Sequence, residues 1–150
     1  RMIDKLYDAS RAGVKIQLIV RGICCLIPGV KGMSENIEAI SIVDNFLEHS
    51  RIFIFGNNGK PEVYISSADF MTRNIDARVE VTCPIYDESI QKELIDSFDL
   101  GWKGNVKARL HSEKLDNKYR VRNENERVFR AQLETYNYYR NQLNVITEEI

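Results

Sequence analysis

The sequence predicts an α/β fold: one mixed sheet with helices on its faces and a long helix at the C-terminal end. Three observations carry this prediction. Strand-like alternation and helix-like spacing of apolar residues take turns through residues 1–100. A hairpin signal, Asn57-Asn58-Gly59, separates two apolar runs. The chain has 150 residues, 43% of them hydrophobic and 29% charged. That is the balance of one ordinary globular domain, able to bury roughly two-thirds of its unfolded surface.

Residues 3–12 read as the end of a helix, with Ile3, Leu6 and Tyr7 on one face and Gly13 as the stop. Residues 14–20 alternate, with Val14, Ile16, Leu18 and Val20 on one side. Ile19 makes both faces apolar near the end, which predicts a central strand covered on both sides. Arg21 closes that strand at its carboxyl end, where open α/β sheets gather ligands. Residues 22–36 form a Gly-rich loop, and Gly29-Val30-Lys31-Gly32 lacks the spacing of a phosphate-cradling P-loop. Ser34 offers a cap for a helix predicted over residues 39–48, where Ile40, Val43, Phe46 and Leu47 recur at helical spacing. His49, one of two histidines, then falls at a helix C-terminus, whose partial negative charge favours a cationic ring suited to phosphate.

Residues 51–55 are a near-continuous apolar strand of the buried type, opened by Arg51. The turn at Asn57-Asn58-Gly59 returns the chain as a strand over 62–66 and brings Ser66, Ser67 and Asp69 back beside His49. Residues 70–76, with Arg73 and Asn74, form a short irregular or helical turn. Residues 78–85 are another strand, with Val79, Val81 and Cys83 on one face. Asp87 caps a helix reaching about residue 98, with Ile90, Leu94, Ile95 and Phe98 as its buried stripe. Residues 101–105 are a turn, and 106–110 with 118–122 a two-stranded extension. Residues 127–146 are the final helix, with Phe129, Leu133, Tyr136, Leu143 and Ile146 as its stripe and Tyr138 and Tyr139 alongside.

The formal net charge of −1 argues against broad attraction to nucleic acid or to an anionic membrane. No apolar run approaches the roughly 20 residues of a spanning helix, and no secretory signal is present. The chain opens Arg-Met, as a fragment of a longer polypeptide does. Cys24, Cys25 and Cys83 are an odd set with two adjacent members, so they read as small buried hydrophobes and reduced thiols, not as a disulfide framework or a zinc site. The expectation is a cytoplasmic protein, with peripheral membrane association left open.

The stretch LIVRGICCLIPGVKGMSENIEAISIVDNFLEHSRIFIFGN, followed by EVYISSADFMTRNIDARVEV, resembles the last domain of bacterial polyphosphate kinase. The similarity is near continuous over residues 14–100 and thins beyond. The resemblance implies a phospholipase D-like fold, here the second of two such domains, forming a single domain over residues 1–150. It implies reversible, ping-pong transfer of the terminal phosphoryl of ATP, first to a histidine of the preceding domain and then to the end of a polyphosphate chain. It also implies magnesium held by groups outside this chain, ATP, ADP and polyphosphate as ligands, and the remaining domains of the same polypeptide as partners. A homo-oligomer is expected, and nucleic acid is not a partner.

By the same resemblance His49 is an essential histidine of the cleft and Arg21 contacts nucleotide phosphates. Arg78 and Arg73 line that cleft. From its place beside His49, not from the resemblance, Arg51 is read as a further phosphate contact. His49, Arg51 and Arg21 would form half of a phosphate site. The chemistry fits, because transferring phosphoryl charge is stabilised by positioned cations and guanidinium matches phosphate. The phospholipase D signature itself, His-x-Lys and later Gly-Ser, is altered here: His49-Ser50-Arg51 carries Arg, and Ser66-Ser67 stands in place of Gly-Ser. That suits gripping phosphate better than hydrolysing a diester.

Other readings stand beside these. His49 is also compatible with a structural bond to a carbonyl, Arg21 with a solvated strand end, and Arg51 with an ion pair to Glu48 or Glu80. Ser66, Ser67 and Asp69 read as orienting the histidine loop, and His111 as a surface residue without a role. The basic run Lys118, Arg120, Arg122, Arg127 and Arg130 reads as a solvated face before it reads as a polyphosphate guide. For the whole domain the alternatives are a phospholipase D-like phosphodiesterase acting as a homodimer, and a non-catalytic phosphate-binding or assembly module.

Overall fold

The structure, a computed structural model, describes residues 1–148, with side chains through Leu143. The fold is mixed α/β, with four helices and six strands among the described residues: α1 (Met2–Arg11), β1 (Ile16–Ile19), β2 (Ile37–Ile42), β3 (Ile52–Phe55), β4 (Glu62–Ser66), α2 (Thr72–Ala77), β5 (Thr82–Ile85), α3 (Glu88–Lys103), β6 (Ala108–Leu110) and α4 (Ala131–Glu148). The chain divides into two compact units, Arg1–Glu48 with Leu100–Ile150, and His49–Asp99.

In the first unit β2 is the middle strand of a three-stranded sheet ordered β1-β2-β6. It runs parallel to β1, with Ile16 opposite Ile37, and antiparallel to β6, with Ile42 opposite Ala108. Ile37 and Ile40 are each 1% exposed. Ile40, Ile42, Ala108 and Ala131 form the core, with Ile19 and Trp102 packed on it. The loop between β1 and β2 is tied back by side chains: Tyr7 Oη accepts from the Ile27 amide, Ser10 Oγ accepts from the Asn36 amide, and Asn36 donates to the Ser10 carbonyl. Ser34 caps no helix. It is fully buried, donating to the Ile27 carbonyl at 2.6 Å and accepting from the Val30 amide at 3.1 Å, so it closes the loop on itself.

The second unit holds an antiparallel sheet ordered β3-β4-β5. Asn57, Asn58 and Gly59 take positive φ of 39°, 53° and 87° in the one-turn connection of β3 to β4, a conformation that Asn and Gly adopt most readily. Val63, 1% exposed, is the buried centre of β4. Asp87 starts α3 as expected: its Oδ1 accepts from the amides of Ser89 and Ile90 at 2.9 and 3.1 Å.

Several expectations are corrected. The strands form two sheets, not one. β2 replaces β1 as the central strand, and β1 lies at the sheet edge among the described strands. The helix expected over 39–48 is the end of β2 followed by an irregular segment that bends at residues 44–46. Of the residues that set the helical spacing only Ile40 is buried, in β2, while Val43, Phe46 and Leu47 are 61%, 74% and 72% exposed, so the apolar period marked no buried face. Arg130, just before α4, and Gln132 in its first turn fasten this segment. Gln132 accepts from the Phe46 amide at 3.0 Å and donates to the Phe46 carbonyl at 2.7 Å. Arg130 grips Asp44 through two bonds of 2.9 and 2.6 Å.

The turn expected at 101–105 is partly helix, since α3 continues to Lys103. The stripe expected on α4 is not a buried one, because Leu133, Tyr136 and Leu143 are 52%, 60% and 65% exposed while Ala131 is the buried contact. The side chain of Ile146 lies outside the described residues. The 106–110 and 118–122 extension is real in part. Only β6 is a strand, bridged to Tyr119 through Arg109.

Candidate functional site

In the second unit His49 is exposed, in the irregular segment that leads into β3. The helix C-terminus expected to favour its cationic form is absent, so its setting comes from neighbours instead. Arg51 Nη1 lies 3.5 Å from His49 Nδ1 and 3.4 Å from the His49 carbonyl. A guanidinium only donates, so the ring nitrogen that can accept at this long contact is Nδ1.

Arg51 is itself held. Its Nε donates to Asp69 Oδ1 at 3.0 Å and its Nη2 to Oδ2 at 3.4 Å. The two side chains are 16% and 21% exposed. The partner is therefore Asp69, which the hairpin returns, and not Glu48 or Glu80. The amide of Ser66 also donates to the Arg51 carbonyl at 3.0 Å.

The two serines knit the return strand to the next one. Ser67 Oγ donates to Glu80 and accepts from the Val81 amide, and Ser66 Oγ meets Thr82 Oγ1 at 2.8 Å. Asn74, 3% exposed, donates to Glu80 at 2.7 Å, and its Oδ1 is buried with no donor among the described residues. Hydrogen bonds from Ser67 and Asn74 hold the Glu80 carboxyl below its ordinary range, with Arg78 and Arg51 adding to the effect. Arg73 on α2 and Arg78 just after it are both exposed. Their charge faces water, which leaves them available to an anion.

Arg21 belongs to the first unit, with none of the other predicted site residues. There it lines a cleft of about 500 Å³ together with Ser41, Arg109, His111, Ser112 and Asn117. His111 is not the surface residue expected. It is half-buried, its Nε2 is 2.7 Å from Ser41 Oγ, and burial pushes its pKa down. No spacing could have shown this, because the contact joins residues 70 apart in sequence.

The basic run is solvated in part, with Lys118, Arg122 and Arg127 exposed and Arg120 and Arg130 half-buried, and each cation also donates within the chain. Arg120 donates to the Trp102 and Gly104 carbonyls, Arg122 to the Glu126 carbonyl, Arg127 to Glu134, Arg130 to Asp44, and Lys118 to Asp116. These bonds fasten the irregular segment before α4. The cysteines depart from expectation too: Cys25 and Cys83 are exposed and Cys24 is half-buried, all as free thiols. Among the described residues no group of three or more His, Cys, Asp or Glu side chains is placed to hold a metal ion.

Comparison with known proteins follows the same lines. The profile of the family described as polyphosphate kinase C-terminal domain 2 matches residues 1–132. Polyphosphate kinase of Vibrio cholerae is 50% identical over 140 residues, covering 93% of this chain and 20% of that protein. Polyphosphate kinase of Escherichia coli K12 is 50% identical over 137 residues, covering 91% of this chain and 20% of its own length. The crystal structure of polyphosphate kinase from Porphyromonas gingivalis superposes with a TM-score of 0.92 at 45% identity, over 96% of this chain and 22% of that one. The chain belongs to the polyphosphate kinase C-terminal domain 2 family and spans about a fifth of the length of the curated relatives it matches. No helix among the described residues is long and apolar enough to cross a membrane.

Proposed function

We propose that the chain is the second of two phospholipase D-like domains of a cytoplasmic polyphosphate kinase, one domain over residues 1–150 of a longer, homo-oligomeric polypeptide. In this reading the enzyme transfers the terminal phosphoryl of ATP reversibly to polyphosphate by way of a histidine of the preceding domain. The observation that carries the reading is His49 itself, in a chain of this family. It is exposed, and its Nδ1 faces a guanidinium that a carboxylate fixes from behind.

That arrangement leaves Nε2 to donate to a phosphate oxygen and to exchange its proton as charge develops there. Arg21, Arg78 and Arg73 supply guanidinium donors to the phosphates of ATP and polyphosphate, which match two oxygens at once and stay charged. Arg51 acts as a fixed charge that orients the ring. Groups placed in advance where charge accumulates need no reorganisation in the transition state, the main lever in phosphoryl transfer. Magnesium, in this proposal, draws its ligands from outside the chain, and none of these roles depends on it.

The test is made in the intact polypeptide that carries this domain. His49→Ala should abolish polyphosphate synthesis from ATP, a loss of at least on the order of a hundredfold. Synthesis at the unaltered rate would remove His49 from the mechanism. The isolated chain should show no kinase activity in the same assay, because the histidine that takes the phosphoryl lies elsewhere.

A further inference from the structure

We infer that His111 is a positioning residue for Arg21, acting through Ser41 and the peptide that joins Val20 to Arg21. The inference rests on the reading of Arg21 as a contact to nucleotide phosphates, and it assigns a role to a histidine that this reading does not use.

Proton accounting fixes the direction of the relay. Ser41 Oγ lies 2.6 Å from the Val20 carbonyl and 2.7 Å from His111 Nε2. Two oxygens at 2.6 Å must share a proton, and a carbonyl has none, so the single hydroxyl proton of Ser41 goes to Val20. Ser41 Oγ is then an acceptor towards the ring, and Nε2 must carry the N–H. Burial favours the neutral ring. A neutral imidazole has one N–H, so its tautomer is set by Ser41. Protonation at Nδ1 would leave this bond in place.

The oxygen at the end of the relay is the one immediately before Arg21. Its peptide plane sets the direction in which Arg21 leaves β1. The Val20 amide donates to the Ile40 carbonyl at 2.8 Å, and the His111 amide donates to the Ala39 carbonyl at 3.0 Å. Both ends of the relay are therefore anchored on β2, and the hydroxyl rotor between them is the one part left to be set. A hydroxyl accepting from an N–H is held in its rotamer and made a stronger donor. Arg109, the other cation of the cleft, is not placed to take over. Its donors go to the Asn117 carbonyl at 3.1 Å and to Tyr119 Oη at 2.8 Å, with the guanidinium 4.1 Å from the Tyr119 ring centre.

The experiment uses steady-state kinetics of the intact kinase with Arg21→Ala, His111→Ala, His111→Gln, Ser41→Ala and the Arg21→Ala/His111→Ala double variant. His111→Ala should raise KM for ATP roughly fivefold, about the worth of one hydrogen bond, with kcat changed much less. His111→Gln, whose Nε2–H can reach towards Ser41, should recover most of that loss, which a purely volumetric role would not allow. In the Arg21→Ala background His111→Ala should cost nothing further. An unchanged KM in His111→Ala, or the same fivefold loss in the absence of Arg21, overturns the inference while leaving the kinase reading intact. A normal KM in Arg21→Ala overturns the phosphate role of Arg21 and this inference with it. Should His111→Ala fail to fold, Ser41→Ala carries the same comparison: a raised KM supports the relay and an unchanged one sinks it.

Discussion

At the scale of single residues, Arg51 is a guanidinium held by a carboxylate beside a histidine. Exposed ion pairs contribute little, about 0–1 kcal/mol, because water screens them and side-chain entropy opposes them. The pair of Arg51 with Asp69 is four-fifths sheltered and forked, with both carboxylate oxygens engaged. A fork of that kind is directional as well as favourable, and its direction sets what His49 Nδ1 faces. Asp69→Asn keeps the shape and removes the charge. It should lower the rate of polyphosphate synthesis in the intact kinase roughly tenfold, as a misaligned group does, with little change in KM for ATP. Rates equal to those of the unaltered enzyme would show that the clamp does not orient the histidine.

At the scale of elements, glycine decides how closely α3 approaches its sheet. A Cβ on Gly101, the first residue of the expected 101–105 turn and inside α3 in the structure, would lie 3.0 Å from Ile19 Cδ1 and 3.7 Å from Ile42 Cδ1. A Cβ on Gly104 would meet Ala131 Cβ at 3.1 Å and the Gly101 carbonyl at 3.1 Å. The two positions differ in what must move. Ile19 can swing a terminal methyl, and alanine recovers up to about 1 kcal/mol of helix propensity at Gly101. Backbone and a buried alanine cannot give way at Gly104, so overpacking there costs about 1–3 kcal/mol. Thermal or urea unfolding should rank Gly104→Ala clearly below Gly101→Ala in stability; the reverse order would mean that α3 is not seated as described.

At the scale of the whole molecule, each unit has its own sheet, and the chain that leaves the first unit is fastened by charge. The Asp44 side chain is 1% exposed against Arg130 at 37%. The hydrogen bonds from Arg130 hold its carboxyl below the ordinary value of 3.8. A depressed carboxyl contributes stability that is fully present above its unfolded pKa and is lost as pH falls through the folded one. Asp44→Asn should therefore cost about 2 kcal/mol at pH 7, the range for hydrogen bonds to a charged group. It should cost less than a fully buried pair would, because the orphaned Arg130 still reaches water. The gap between variant and parent should close as pH drops below 3.8. Unfolding curves measured at pH 7 and in acid check this, and a gap that stays constant would assign the loss to packing instead of charge.

The sequence alone determined whatever depends on neighbours along the chain. The Asn-Asn-Gly hairpin, the Asp87 cap, the end of α1 at Gly13 and the mixed α/β class follow from local backbone preference and period, and all are found in the structure. The family likeness, too, was carried by the order of residues. Only the tertiary structure decided which strands pair, why residues 44–48 are not helical, where Arg120 and Arg130 spend their charge, and that His111 touches Ser41. The physical reason is the same in each case. A backbone amide, a guanidinium or an imidazole takes whichever partner the folded chain brings within about 3 Å, and in these cases the partner lies far away in sequence.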